Sequence, residues 1–233
     1  MSNDSFTFRQ FEVRQDRCAM KVGTDGVLLG AWAHGGERVL DIGTGTALVA
    51  LIMAQRFPEA SVAGVEIDSA AASQARENVA ASPFAGRVGI YETSIQAFES
   101  SGVFDAIVSN PPFFNNSLKN PDSQRAAARH TDTLPYRDLF AAVKRLLAPE
   151  GEFSAVIPFD CLTAFTAEAY MAGLAMSRRC AIKTTPRKSP RRYLVAFRHA
   201  ADAFDTDTAM QCLMNADGSR SEWYQNLTSE LYL

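Results

Sequence analysis

The chain has 233 residues, 47% of them hydrophobic, and a formal net charge of −3. This composition excludes wholesale disorder, and it excludes an overall excess of positive charge as a basis for nucleic-acid binding. The four cysteines are scattered without a CxxC pair, which predicts reduced thiols and neither a zinc site nor a disulfide scaffold. Because no apolar run is long enough for a signal peptide or a membrane span, we expect a cytoplasmic protein.

From residue 38 onward, short apolar runs alternate with helical patterns. The predicted strands are Arg38–Ile42, Ser61–Glu66, Val88–Glu92, Phe104–Ser109 and 152–157. The predicted helices cover about 46–57, 69–81, 136–147 and 160–171. This alternation predicts βαβ units, and hence a mainly parallel sheet with helices on both faces.

Two more strands are predicted at 176–184 and 193–197. Their link contains Pro186 and Pro190 and is too short for a crossover helix, so the two strands must be antiparallel. We therefore expect an α/β fold whose seven-stranded sheet ends in a C-terminal antiparallel hairpin.

The hairpin carries a basic block. Residues 178–198 hold six arginines and two lysines without a single acidic residue, although the whole chain is acidic. A charge run is most often a solvated face, but a basic hairpin at a sheet edge also suits contact with phosphates. The candidates on its proline-containing turn are Arg187, Lys188, Arg191 and Arg192.

The first predicted strand runs into a glycine-rich turn, residues 41–47 (DIGTGTA). Gly43 and Gly45 allow a tight turn and close approach of the backbone to a ligand. Glu66, at the end of the second strand, can accept hydrogen bonds from ribose hydroxyls. Leu48 breaks the dinucleotide fingerprint, whereas Asp41 fits S-adenosylmethionine (SAM) enzymes, in which a carboxylate can hold the cofactor's amino group. A turn that binds nothing stays open as an alternative.

The fourth predicted strand ends in Asn110-Pro111-Pro112-Phe113. An exocyclic amino nitrogen is a poor nucleophile because its lone pair is delocalised, and a site improves it by accepting both of its N–H hydrogens. The Asn110 side chain and the Pro111 carbonyl can supply those acceptors, and Phe113 offers a face on which a planar target can stack. These residues are the predicted catalytic site. The alternative is a strand stop with a core phenylalanine.

Together these motifs resemble the class I SAM-dependent methyltransferases with a Rossmann-like fold. Residues 18–32 (CAMKVGTDGVLLGAW), the NPPFF run from Asn110 and the ARHT run from Ala128 are similar to one family in particular. That family is the bacterial tRNA-Val (adenine-N6)-methyltransferases, which modify the adenine directly 3′ of the anticodon. The resemblance covers nearly the whole chain and implies SAM as cofactor and tRNA as substrate.

The resemblance also implies roles for individual residues. Residues 1–35 would form an N-terminal lid or extension, and 36–233 a single catalytic domain. The implied cofactor contacts are Lys21, Gly23, Asp25, Asp41, Gly43, Gly45, Glu66 and Asp68. At the end of the third predicted strand many relatives have an acid that contacts the cofactor's adenine, but this chain has Thr93-Ser94-Ile95, so Ser94 or the backbone amides around it are the candidates there. Arg129 joins the turn residues as an RNA contact, and no metal site or obligatory protein partner is implied. Ala47 departs from the usual third glycine, for which we expect slightly tighter packing and an unchanged helix start.

Three other functions remain compatible with these residues. The same asparagine–proline clamp suits guanine N2 of ribosomal RNA and the amide nitrogen of a protein glutamine. A non-catalytic SAM- or nucleotide-binding protein would need only the glycine loop, and the intact residues 110–113 argue against it.

Overall fold

The computed structural model describes residues 4–18, 21–111, 134–200 and 205–233. Its strands are β1 (Ser5–Thr7), β2 (Glu12–Arg14), β3 (Arg38–Ile42), β4 (Ser61–Glu66), β5 (Val88–Glu92), β6 (Phe104–Ser109), β7 (Leu147–Pro158), β8 (Leu174–Lys183), β9 (Arg192–His199) and β10 (Asp207–Cys212). Its helices are α1 (Thr24–Trp32), α2 (Leu48–Arg56), α3 (Ser69–Ala80), α4 (Tyr136–Leu146), α5 (Leu162–Met171) and α6 (Glu222–Thr228).

Eight of these strands form one sheet in the order β10-β8-β9-β7-β6-β3-β4-β5. All neighbours in the sheet are parallel except that β9 runs antiparallel to both β7 and β8. The predicted fold class is confirmed, including the antiparallel hairpin β8–β9. The sequence did not predict β10, which adds an eighth strand beside β8.

Helices cover both faces of the sheet and divide the core into two layers. One layer packs α1, α2, α3 and α6 against the sheet, and the other packs α4 and α5. The central strands are buried on both faces, so the successive residues Val39 and Leu40 are both apolar although they point to opposite faces of the sheet.

The N-terminal and C-terminal segments lie against each other. β1 and β2 form a small antiparallel pair, and the amide of Arg9 donates to the carbonyl of Leu231 at 2.8 Å. Phe8 is buried between them, with its ring 6.0 Å from that of Tyr232. Among the described helices, none is long and apolar enough to cross a membrane.

The strand order also fixes where a ligand can bind. The chain proceeds outward from β3 to β4 and β5, and then returns to the other side of β3 as β6. A reversal of this kind opens a crevice at the carboxyl ends of the two central strands, which is the usual ligand site of open α/β sheets.

Candidate active site

The two predicted motifs meet at this crevice. Ile42 and Ser109 are paired across β3 and β6, and the Ser109 hydroxyl donates to the Ile42 carbonyl at 2.9 Å. The next residues along the two strands are Gly43 and Asn110, so the glycine loop and the Asn-Pro segment leave the sheet side by side. The structure therefore brings together the predicted cofactor loop and the start of the predicted catalytic segment.

The loop between β3 and α2 leaves room for a ligand. Gly43 and Gly45 have φ of +70° and +56°, conformations that favour glycine. A Cβ atom built on Gly43 would meet no heavy atom within 4 Å. The open space in front of this backbone fits the expected cofactor.

Ala47 adopts the left-handed conformation as well, with φ of 66°, directly before α2 begins at Leu48. The helix start is unchanged, as expected. Ala47 is also buried, and its left-handed backbone costs an alanine about 1–2 kcal/mol that a glycine would not incur, so the expected tighter packing stays a prediction.

Asp41 is buried at the end of β3, with 1% of its surface exposed. Its Oδ2 atom accepts hydrogen bonds from the Thr44 hydroxyl at 2.6 Å and from the Ala50 amide at 3.1 Å. Burial raises the pKa of this carboxyl group to about 7, against the opposing effect of those two hydrogen bonds. Asp41 therefore braces the loop in this structure, and its contact with the cofactor amino group stays a prediction.

Glu66 at the end of β4 is held by backbone amides. Its Oε2 accepts from Gly45 at 2.8 Å, and its Oε1 accepts from Ile67 at 2.9 Å and Asp68 at 3.0 Å. A carboxylate offers about four acceptor positions, so a ribose hydroxyl would take the remaining one or displace an amide. Glu66 thus shapes the loop next to its predicted ligand.

Asp68 and Ser94 lie at the same edge and have structural roles of their own. Asp68 caps α3, accepting from the Ala71 amide at 2.7 Å. The Ser94 hydroxyl accepts from the Ala97 amide at 3.2 Å in the turn after β5. Both remain predicted cofactor contacts.

The N-terminal segment approaches this edge. Lys21 is exposed, and Gly23 is the extended N-cap residue of α1. Asp25, in the first turn of α1, forms an ion pair with Arg192 at the start of β9. A predicted cofactor residue and a predicted RNA residue therefore contact each other directly, which links α1 to the basic hairpin.

Two polar residues that the sequence analysis missed hold this segment in place. Gln74 and Asn78 are buried on α3 and accept hydrogen bonds from the amides of Arg17 at 3.1 Å and Arg14 at 2.9 Å. Asn78 also donates to the carbonyl of Thr46 in the glycine loop at 2.9 Å. Their spacing of four residues places both polar side chains on one face of an alanine-rich helix, and this pattern could have indicated a shared contact.

The remaining predicted residues fall into three groups. Asn110 is half-buried with its amide oxygen out of contact with solvent, and Pro111 beside it is buried. The basic turn residues Arg187, Lys188 and Arg191 are exposed. Outside the described residues lie Pro112, Phe113 and Arg129.

The comparisons with known proteins agree with this arrangement. Residues 22–160 match the family model of the methyltransferase small domain. A Phocaeicola vulgatus protein named tRNA1(Val) (adenine(37)-N6)-methyltransferase is 48% identical over 238 residues, covering 100% of this chain and 99% of its own length. A Pseudoalteromonas translucida protein of the same name is 40% identical and covers 98% of each chain. This chain belongs to the tRNA1(Val) (adenine(37)-N6)-methyltransferase family.

Solved structures show the fold of this family member independently. A predicted O-methyltransferase from Agrobacterium tumefaciens superposes with a TM-score of 0.63 at 17% identity, covering 89% of this chain and 96% of its own. A glycopeptide N-methyltransferase complexed with SAM gives a TM-score of 0.56 at 13% identity, covering 77% and 89%. The resemblance to the tRNA methyltransferase family and to the Rossmann-like methyltransferase fold is confirmed.

Proposed function

We propose that this enzyme methylates N6 of adenine 37 in valine tRNA. Its full-length relatives carry that activity in their names, which supports the choice of substrate. The observation that carries the chemistry is the Ile42–Ser109 pairing, because it sets Asn110 beside the glycine loop. Since tRNA is a cytoplasmic molecule, we propose a cytoplasmic enzyme.

The cofactor of this methyltransferase is SAM, which supplies an electrophilic methyl group on a sulfonium. We propose that Gly43 and Gly45 face the cofactor in the open space before the loop, and that Glu66 holds its ribose. Asp41, buried among the loop's own donors, would receive the positively charged amino group. Lys21, Gly23 and Asp25 would close over it from the N-terminal side.

The target adenine would lie against Asn110 and Pro111. The side-chain oxygen of Asn110 and the carbonyl of Pro111 would accept the two N6 hydrogens, and this would turn the nitrogen lone pair toward the methyl group. These two acceptors act by positioning, so no strong base is required, and the proton released after transfer can leave to water. Proline fixes its own φ, which presets the direction of the carbonyl.

Mass spectrometry of nucleosides tests this proposal. Unmodified valine tRNA is incubated with the protein and labelled SAM, and label is expected in N6-methyladenosine but not when adenine 37 is replaced by guanine. Asn110→Ala should lower the rate at least a hundredfold and leave SAM affinity intact. Asn226→Ala, an exposed asparagine on α6, is the matched control and should keep full activity. Label in guanosine or in protein, or no transfer at all, would contradict the proposal.

A further inference from the structure

An aromatic pair lies exposed beside the candidate active site. Phe159, just past the end of β7, has 41% of its surface exposed. Its ring stacks on that of Tyr193 in β9, with centroids 5.0 Å apart and planes 18° from parallel. The Phe159 amide donates to the carbonyl of Arg191 at 3.0 Å, which fixes the backbone beneath the pair. One face of the Phe159 ring is therefore packed on Tyr193, while 41% of the residue's surface stays exposed.

Two arginines lie near the pair. The guanidinium of Arg179 in β8 lies 5.8 Å from the centre of the Tyr193 ring, and Arg191 is exposed two residues before that tyrosine. The neighbouring acid is Asp160, which is exposed next to Phe159. An aromatic face with arginines beside it suits a nucleotide, because the base can stack while the phosphate meets a positive charge.

The position of the pair matches a nucleotide next to the target. Ser109 of β6 pairs with Ala155 of β7, so Asn110 lies opposite Val156, three residues before Phe159. Strand rise and strand spacing put the Asn110 and Phe159 backbones about 11 Å apart. One or two nucleotides of an unstacked strand can span that distance.

We propose that Phe159, supported by Tyr193, is a stacking platform for a base that flanks the target adenine. This inference rests on the proposed function, and it adds a positioning residue outside the cofactor loop and the Asn-Pro segment. The platform holds the strand on one side of an extruded adenine and accepts any base, since every base has a flat face. Arg179 and Arg191 contact the adjoining phosphates. The platform acts on substrate binding, so its loss raises the KM for tRNA and leaves kcat and SAM affinity unchanged.

Three variants test this role. Phe159→Leu keeps an apolar side chain without a ring and should raise the KM for tRNA about tenfold. Phe159→Trp restores a stacking face and should return KM to within about threefold of the wild type. Tyr170→Leu removes an aromatic side chain that is 57% exposed at the other end of α5, and should leave KM unchanged. If Leu and Trp at position 159 behave alike, the side chain does not act by stacking and the proposal is overturned.

A modified substrate identifies the base. Valine tRNA is assembled by ligation with one abasic nucleotide directly 5′ or directly 3′ of adenine 37. One of the two substrates should raise the wild-type KM about as much as Phe159→Leu does, and should raise the KM of that variant no further. Additive losses at both positions would overturn the platform. If the wild type forms no N6-methyladenosine, the proposed function fails first, whereas full activity of Phe159→Leu overturns the platform alone.

Discussion

Two buried carboxylates in the central sheet have opposite surroundings. Asp41 on β3 is 1% exposed and Glu152 on β7 is 4% exposed. Asp41 receives hydrogen bonds from Thr44 and Ala50, and it has no ion pair in the part of the chain that the structure describes. Glu152 is paired with three basic side chains, His34, Arg178 and Arg198.

The pKa values of the two groups diverge accordingly. Burial raises the pKa of Asp41 to about 7. Burial would also raise the pKa of Glu152, but the hydrogen bonds and charge of Arg178, with His34 and Arg198, bring it below its ordinary value. Two carboxylates that are both buried therefore shift in opposite directions, and the cations around Glu152 are the main difference between their surroundings. Glu152 is paired with cations of the protein itself and is structural, whereas Asp41 lies near the end of β3, at the edge of the sheet where a cationic ligand group is proposed to bind.

The largest effect on stability is expected from replacing Glu152, the carboxylate that is paired with basic side chains. Glu152→Gln leaves the half-buried Arg178 without a counter-charge, so the free energy of unfolding should fall by about 3 kcal/mol in urea titrations. Glu150→Gln changes an exposed acid in the same strand and is the matched control. Equal unfolding midpoints for the two variants would show that the cluster around Glu152 does not stabilise the fold.

The second effect is the pH dependence of the contribution that Asp41 makes to stability. The folded-state pKa of Asp41 lies above its ordinary value of 3.8, so its contribution to stability is present below pH 3.8 and is lost as pH rises to about 7. Unfolding of the wild type and of Asp41→Asn is compared from pH 4 to pH 8. The stability of the wild type relative to Asp41→Asn should fall as pH rises to about 7 and should stay constant above that pH. For Glu152 the sign is reversed, since its contribution is present above the ordinary pKa of 4.5 and is lost in acid.

Cofactor binding should follow the same titration. A cationic amino group favours ionised Asp41. Below pH 7, SAM affinity should therefore increase with rising pH, by up to about tenfold per pH unit. Calorimetric titrations between pH 5.5 and 7.5 stay below the range of about 7.7–8.0 in which α-amino groups lose their proton. Asp41→Asn should bind SAM weakly with little dependence on pH. An unchanged pH profile in that variant would remove Asp41 from the cofactor site.

The sequence predicted the central strands to the residue, because buried parallel strands are apolar runs that end at turn residues. The structure places β3, β4, β5 and β6 within the predicted bounds. Strand β10 could not be found in this way, since residues 207–212 (DTAMQC) are largely exposed and have no apolar run. That strand exists through its pairing with β8, which is a tertiary contact.

In the candidate site too, the local pattern predicts the positions of residues but not their tertiary contacts. Motif spacing predicted Asp41, Glu66 and Asn110 at strand ends, because a parallel sheet gathers carboxyl ends at one edge. It could not predict which donors each acid receives, nor that Asp25 pairs with Arg192 across most of the chain. Partners of this kind depend on side-chain packing and not on local pattern.

The smallest effects are expected when the one hydroxyl that donates to each carboxylate is removed. Thr44 is buried, and its hydroxyl donates to Asp41 at 2.6 Å, while the Ser177 hydroxyl donates to Glu152 at 3.2 Å. Thr44→Val keeps the shape and removes a hydrogen bond that favours the ionised acid, so between pH 5.5 and 7.5 SAM should bind up to about tenfold more weakly than it binds the wild type at the same pH. Ser177→Ala should change stability by less than about 0.5 kcal/mol, because Arg178 still neutralises Glu152.

The same calorimetric and urea titrations measure both variants. A SAM affinity equal to that of the wild type between pH 5.5 and 7.5 in Thr44→Val would mean that the hydroxyl does not control the charge of Asp41. A loss in Ser177→Ala as large as that in Glu152→Gln would mean that the hydroxyl, and not the guanidinium, keeps Glu152 ionised. The expected contrast has one cause. Glu152 is already neutralised by cations of the protein, so one hydrogen bond contributes little to its ionisation. Asp41 has to be ionised before it can bind the ligand's cationic group, so a single hydrogen bond affects how strongly the ligand binds at a given pH.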